Sequence, residues 1–275
     1  MPTIDYHAPL KVLAAVRGHP FDRNAYAALF DGMEGISVTF VDQPAASLLM
    51  QPDLADQFDV LLLYDMPGID FHGPVPGAPM PIPDAVREGI ERLLERGIGV
   101  VATHHAIAGW PAWEGFAEIV GGRFLYRAAT LRGAARLDSG YRHQASYNAQ
   151  VVAPDHPVMA GIPPMFALTD ELYLAEIFEQ DVVPLLRSDY RFERDNFYSA
   201  TAAIEGTMFS NEGWDHAPGS NLIGWAKRAG NSPLVYLQPG DDEVTYANPV
   251  YRRLIENAIR WTASAEARDW ARAAA

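Results

Sequence analysis

The chain has 275 residues, 35 acidic against 21 basic side chains, a formal charge of −14 and no cysteine. The missing thiols exclude disulfides, thiolate metal sites and a cysteine nucleophile, and the negative charge disfavours nucleic acid and anionic membranes as partners. An apolar fraction of 49% at this length suffices for a packed core without staples, while the longest apolar runs, residues 60–63 and 98–102, fall far short of a membrane span.

Residues 1–13 show no basic region followed by an apolar stretch, so no secretory signal is expected and a cytoplasmic location is the default. Residues 11–16 (KVLAAV) form a first apolar run that stops at RGHPFD, and residues 23–33 then space Tyr26, Leu29 and Phe30 helically. Residues 36–41 read as a second strand and residues 59–65 (DVLLLYD) as a third, whose unbroken apolarity suits a parallel strand covered on both faces. The Pro- and Gly-rich loop after it is longer than a connection needs, which marks a lid or wall of a site. A helix starts at Pro83 and Asp84, presents Val86, Ile90, Leu93 and Leu94 on one face, and stops at Gly97. Residues 98–102 are a fourth strand, followed by the pair His104-His105 and a helix over 111–120. This alternation predicts an α/β fold with a doubly wound, mostly parallel sheet.

After Gly122 the strands shorten (NAQVVA, VVPLLRS, NLIGWAK, PLVYLQPG) and no regular helices separate them. Residues 189–220 read as a long irregular insertion beside the site. Residues 249–262 place Val250, Leu254, Ile255, Ile259 and Trp261 on one side of a closing helix. Without a Ser/Gly linker the chain reads as one domain, 1–275, with its core at about 10–188 and 221–264.

The carboxyl end of a parallel strand is where ligands and nucleophiles sit in open α/β sheets, so the two histidines at residues 104–105 are the leading functional candidates, with His19 in the loop after the first strand. The strand-turn-helix there has the shape of a nucleophile elbow, yet it carries His where serine or cysteine would be needed for acyl transfer. Imidazole remains suited to general acid/base work or metal ligation near neutral pH. Alternation along the strand points His104 and His105 in different directions and toward different tasks. The plain structural reading is a core histidine bonded to backbone beside one that lines a crevice.

The segments KVLAAVRGHPFD, GVVATHHAIAGWPAWEGFAEIVGGRFLY, DHPVMAGIPPMFALTDELY and YANPVYRRLIENAIRW together resemble the ThuA-like, or trehalose-utilisation, family over nearly the whole chain. The resemblance implies a flavodoxin-like or class I glutamine amidotransferase-like fold in which His104, followed by His105, stands where the amidotransferases hold cysteine. It also implies sugar metabolism, some relatives being linked to glycosides oxidised to 3-keto forms. Members commonly carry Gly-His before the last helix, where this chain has Gly240-Asp241; His216 in the insertion is a candidate replacement, or an ordinary surface histidine.

Other candidates have competing readings. Glu171, beside Asp170 in LTDELY, supplies a base or orients a histidine, or the pair caps a helix with Thr169. Trp110, Trp113, Tyr126 and Tyr173 stack on sugar faces or fill core volume, Trp110 being the best placed. Arg123 binds substrate hydroxyls or pairs with an acidic neighbour. The resulting expectation is a catalytic set of His104, His105, His19 and Glu171, with His104 and His105 as acid/base pair and His19 at the oxyanion, and substrate contacts from Trp110, Tyr64, Arg123, Tyr126 and Asp241. The expected partner is a small sugar or glycoside, and homo-oligomerisation is compatible with the sequence. No cofactor is required; a divalent metal held by His and carboxylate ligands is one alternative, although no HExxH-type motif is present, and a non-catalytic sugar-binding or assembly module is another.

Overall fold

A computed structural model describes residues 5–273, so Met1 to Ile4 of the leader reading lie outside it. Strand β1 (Leu10–Arg17) leads into helix α1 (Arg23–Leu29), whose first turn is capped by the Asp22 carboxylate accepting the Ala25 amide. Strands β2 (Ile36–Asp42) and β3 (Val60–Asp65) precede helix α2 (Asp84–Arg96), which ends at Gly97 with φ 87°, a left-handed cap that glycine adopts without strain. Strand β4 (Gly99–Thr103) and helix α3 (Glu114–Val120) complete the first half.

The remaining strands of the central sheet are β5 (Gly140–Val151), β6 (Met165–Leu174), β7 (Val183–Ser188), β8 (Tyr198–Ser199), β9 (Leu222–Ala229) and β10 (Ser232–Leu237), followed by helices α4 (Pro249–Thr262) and α5 (Ala265–Arg272). The sheet order is β6-β5-β7-β9-β10-β4-β3-β1-β2, with β8 on β5. Strands β2, β1, β3, β4 and β10 run parallel, and β9, β7, β5 and β6 extend the sheet antiparallel. Every residue of β3, β4 and β10 is buried, as two-sided cover demands. Alternate residues of β1 feed opposite cores, Val12, Ala14 and Val16 with the α1 and α4 side chains, Leu13 and Ala15 with those of α2 and α3. The α/β fold, wound on both faces of its sheet, is therefore the one expected.

Local departures have local causes. The helix expected over 111–120 begins only at Glu114, because residues 104–108 form a tight 3-10 turn and Pro111 follows Trp110, whose φ is 46°. LTDELY lies within β6, so Asp170 and Thr169 cap no helix there; the alternating burial of this strand was masked by its charged residues. Residues 265–272 add a helix beyond the expected core, resting Ala267 and Ala271 on the body and Trp270 on Trp261. Residues 189–220 are tied down by Asp138, whose carboxylate accepts Ser199 Oγ at 2.5 Å, the Thr201 amide at 2.8 Å and Trp214 Nε1 at 3.0 Å.

Asp65 ends β3 buried, accepting Gln43 Nε2 at 2.5 Å. Burial lifts its pKa from 3.8 to about 6 against the pull of Gln43. The folded state therefore holds this proton more tightly than the unfolded one, so stability falls as pH rises from roughly 4 to 6. Asp65→Asn is expected to flatten that slope and to raise stability at pH 7 by on the order of 1–3 kcal/mol. Urea melts at pH 4 and pH 7 test this, and a slope unchanged in the variant would refute it.

Candidate functional site

The carboxyl ends of β1, β3, β4 and β10 bring His19, Tyr64, the histidine pair and Gln238 to one edge. His104 leaves β4 with φ 41°, a left-handed conformation that costs a non-glycine residue roughly 1–3 kcal/mol and persists only where the surroundings dictate it. Its Nδ1–H donates to the Gln238 carbonyl at 2.6 Å, and its own carbonyl accepts Tyr236 Oη at 2.9 Å. The end of β10 thus fixes both the ring and the backbone of the elbow. Gln238 also reaches the end of β6, its Oε1 accepting the Tyr173 amide at 3.0 Å, although β6 and β10 are far apart in the sheet.

Around His104 Nε2 stand Tyr173 Oη at 2.8 Å, Glu171 Oε2 at 3.4 Å and Asp241 Oδ1 at 3.5 Å. Tyr173 Oη lies also 3.2 Å from His105 Nδ1, so one phenol links the two imidazoles. His105 Nε2 is buried without a hydrogen-bond partner, 3.8 Å from Asp241 Oδ1. The His105 ring stacks on Tyr64 and meets the His19 ring edge-on, with centroids 3.9 Å apart. Two sets of three donors result, His104 with Glu171 and Asp241, and His19 with His105 and Asp241.

These surroundings drive the two neighbours apart. Burial opposes a charge on His104, but the Asp241 and Glu171 carboxylates outweigh it and raise the ring to about 10. Burial pushes His105 well below the usual imidazole range, and the His104 and His19 charges push the same way. Burial likewise lowers His19, whose Nδ1 faces the Pro20 carbonyl at 2.7 Å. Burial would lift Asp241, yet its contact with His104 holds it below the ordinary carboxylate value. Asp170 positions that carboxylate by accepting the Gly240 amide at 2.6 Å and the Asp241 amide at 3.1 Å; burial raises Asp170 to about 7 against the pull of His104 and these amides.

The structure brings His19, His104, His105, Glu171 and Asp241 together. Asp241 sits among the imidazoles as their shared counter-charge. Tyr64 is reassigned: His105 covers one face of its ring, Tyr26 stacks on it 4.3 Å away, and its hydroxyl bonds Tyr246 Oη and the Asp241 carbonyl, so no face remains for a sugar. Arg123 is buried and donates to the Gly109 carbonyl at 2.5 Å and the Trp113 carbonyl at 2.8 Å, bracing the chain beyond the elbow. Tyr126 packs edge-on against Phe71 and Phe124, its hydroxyl donating to Met66 Sδ. Trp110 lines a cleft beside His19. His216 is half-buried against Trp214 and stays out of the site; the additional imidazole is His143 on β5, 3.9 Å from Asp241 Oδ2. His143, Gln238 and Tyr236 carry no local motif, and only the pairing of distant strands reveals them.

The family described as ThuA, trehalose utilisation, matches residues 16–262. The chain belongs to the ThuA family. That membership carries a carbohydrate-related function. Among solved structures, a ThuA-like protein of Parabacteroides merdae aligns at TM-score 0.63 and 15% identity, covering 93% of this chain and 90% of its own. A ThuA-like protein of Bacteroides uniformis aligns at TM-score 0.60 and 18% identity, covering 95% of each chain. PurLQS of Thermotoga maritima aligns at TM-score 0.50 and 14% identity over 92% of this chain and 98% of its own, a likeness of fold alone. No curated protein matches the chain in sequence. Among the described residues no helix is long and apolar enough to cross a membrane.

Two substitutions check the bracing of this site. At Gly240, φ 130°, an added Cβ would stand 2.3 Å from Tyr251 Oη, so Gly240→Ala is expected to lower stability by about 1–3 kcal/mol and to displace Asp241. A melting temperature equal to wild type would refute it. Arg123→Ala leaves the buried Gly109 carbonyl without its partner, while the Trp113 carbonyl keeps the Phe116 amide, and should cost about 1–3 kcal/mol in a urea melt, with sugar affinity within about twofold of wild type. Lost affinity at unchanged stability would restore the substrate role.

Proposed function

We propose that this ThuA-family chain is a carbohydrate-active enzyme that performs acid/base chemistry on an oxidised, 3-keto sugar or glycoside. The observation that supports it is a pair of adjacent imidazoles whose surroundings favour opposite protonation states, His104 charged and His105 neutral. Neighbouring titratable groups pushed apart in this way take different tasks, here a fixed charge beside a neutral proton carrier that back the acid/base groups facing the substrate. With Nδ1–H bonded to Gln238, a charged His104 presents Nε2–H to the carboxylates and Tyr173, and the Tyr173 hydroxyl is free to donate to His105 Nδ1.

A ketone at sugar C3 acidifies the C2–H bond. Removal of that proton leaves an enolate on C2, C3 and the C3 oxygen; its collapse restores the ketone, forms a C1–C2 double bond and expels the glycosidic oxygen, which takes a proton. Reprotonation of the enolate gives isomerisation instead. Both routes need one base, one acid and charge stabilisation. His104 and His105 are 0% and 1% exposed, so a substrate meets the more exposed groups around them, Glu171, Asp241, His19 and His143. This moves the first proton transfer outward from the imidazole pair. Glu171 takes the C2 proton and, once protonated, returns it to the departing or enolate oxygen; His104 is the fixed cation behind the carboxylates, His105 the proton store reached through Tyr173, and His19, whose ring proton is held by the Pro20 carbonyl, bounds the site.

Glu171→Gln and His105→Ala are each expected to lower turnover of a 3-keto-glucoside by about 100-fold or more, with melting temperatures near wild type. Turnover within about twofold of wild type in Glu171→Gln would exclude it as the base.

A second reading is favoured by the unpartnered His105 Nε2 and by the separations of 3.4, 3.5 and 3.8 Å among the donors. Two ligands about 2.1 Å from a tetrahedral divalent ion stand roughly 3.4 Å apart, and the Gln238 carbonyl fixes the His104 tautomer as an outer partner of a metal ligand does. His104, Glu171 and Asp241, or His19, His105 and Asp241, would hold the ion, which polarises a sugar carbonyl when bound. Elemental analysis separates the readings. Stoichiometric metal whose removal abolishes turnover favours the second, and full turnover by metal-free protein favours the first.

A further inference from the structure

Beside the site lies a cleft of about 740 Å³, a volume within the range of small-molecule pockets. His19 is its shared wall: one side lines the cleft while the ring edge touches His105. A molecule whose reacting sugar lies at Glu171 and Asp241 has this space within reach of its remaining portion, on the other side of His19.

The lining carries a chemical signature. In a chain with 35 acidic residues, no Asp or Glu lines the cleft. Five prolines, with Met66, Ile69, Met80, Val86 and Trp110, make most of the wall. The polar lining groups are largely committed to one another. Ser47 Oγ donates to Gln43 Oε1 at 2.8 Å, Gln43 Nε2 donates onward to Asp65, and His19 Nδ1 faces the Pro20 carbonyl. Arg17, with φ 94°, contributes the one cationic group of fixed charge among the lining residues.

We infer that this cleft receives the leaving portion of the substrate and that this portion is a flat, apolar, aromatic aglycone rather than a second sugar. The inference rests on the glycoside-acting reading above and names its substrate class. A second hexose would bring several hydroxyls into a wall with few available partners, and a buried hydroxyl without a partner is unfavourable. An aromatic ring brings no such requirement, gains contact with Trp110 and Met66, and faces Arg17 with its π surface. The proline-rich wall is stiff, so little freedom is lost when the ring enters.

Calorimetric titration of the full chain with methyl glucoside and 4-nitrophenyl glucoside, each as both anomers, and with trehalose tests the inference. The 4-nitrophenyl compound of one anomer is expected to bind about tenfold or more tighter than its methyl counterpart and than trehalose. Leu48 and Met80 line the cleft and are 65% and 43% exposed, so a Leu48→Glu, Met80→Glu double variant folds and should shrink the aryl preference to about threefold or less. Trehalose binding as tightly as the aryl glucoside, no detectable aryl glucoside binding, or an aryl preference untouched in the double variant would each overturn the inference. Turnover of the 3-keto forms is measured separately. Aryl preference without turnover sinks the catalytic reading and leaves the cleft, whereas turnover without aryl preference does the reverse.

Discussion

A fully buried imidazole can carry charge only where counter-charges replace the water it has lost, and the organisation of this sheet edge follows from that condition at His104. Glu171 and Asp241 stand 3.4 and 3.5 Å from its Nε2, and the Gln238 carbonyl takes the proton on Nδ1. The neighbour then has no such option. His105 is equally buried, lies beside a cation, and has no carboxylate within ordinary hydrogen-bonding distance, so the neutral form is favoured. The asymmetry between two adjacent, chemically identical side chains arises from the fold around them.

Holding that asymmetry requires backbone that cannot relax. Arg17, His104 and Trp110 all have positive φ, and all three lie at the carboxyl edge of the parallel strands. Here His104 is pinned from β10 by Tyr236 and Gln238, the chain after Trp110 is pinned by Arg123, and Asp170 fixes the Gly240-Asp241 turn from β6. The buried polar groups Arg123 and Asp170 act as braces, each with its hydrogen-bonding groups directed at backbone. Their cost in desolvation is offset by those bonds and by the fixed position they give to groups that touch His104.

The parallel half of the sheet was legible in the sequence because its strands are continuous apolar runs separated by amphipathic helices, and a helix such as α2 announces both its start at Pro83 and its stop at Gly97. The histidine pair was legible for the same reason, since the end of a buried strand is a defined place. Strand β6 was not, because its Thr169-Asp170-Glu171 segment imitates a helix cap when read locally and becomes a strand only when β5 pairs with it from Ala145 onward. Asp241 was expected at the site, but nothing in its own segment shows that His104, 137 positions earlier, will lie 3.5 Å away. Arg123 was misread because a guanidinium in a Gly-rich turn looks the same whether it faces a ligand or two backbone carbonyls. Sequence reading worked where the deciding interaction is local and failed where it crosses the sheet.

The site and the cleft place opposite demands on a ligand, and His19 is where they meet. On one side of it are two carboxylates and a charged imidazole, groups that suit hydroxyls and a carbonyl; on the other is a stiff apolar wall without an acidic side chain. A ligand polar at one end and apolar at the other satisfies both at once. The apolar end then supplies binding energy remote from the reacting carbon, and such energy orients the polar end when it is present and cannot be replaced by tighter contacts at the carboxylates. Contacts to hydroxyls at Glu171 and Asp241 compete with water and with His104 itself, whereas burial against Trp110 and the prolines has no such competitor. For the glycoside proposed above, orientation at the charged groups is thus set largely by what the neighbouring cleft accepts.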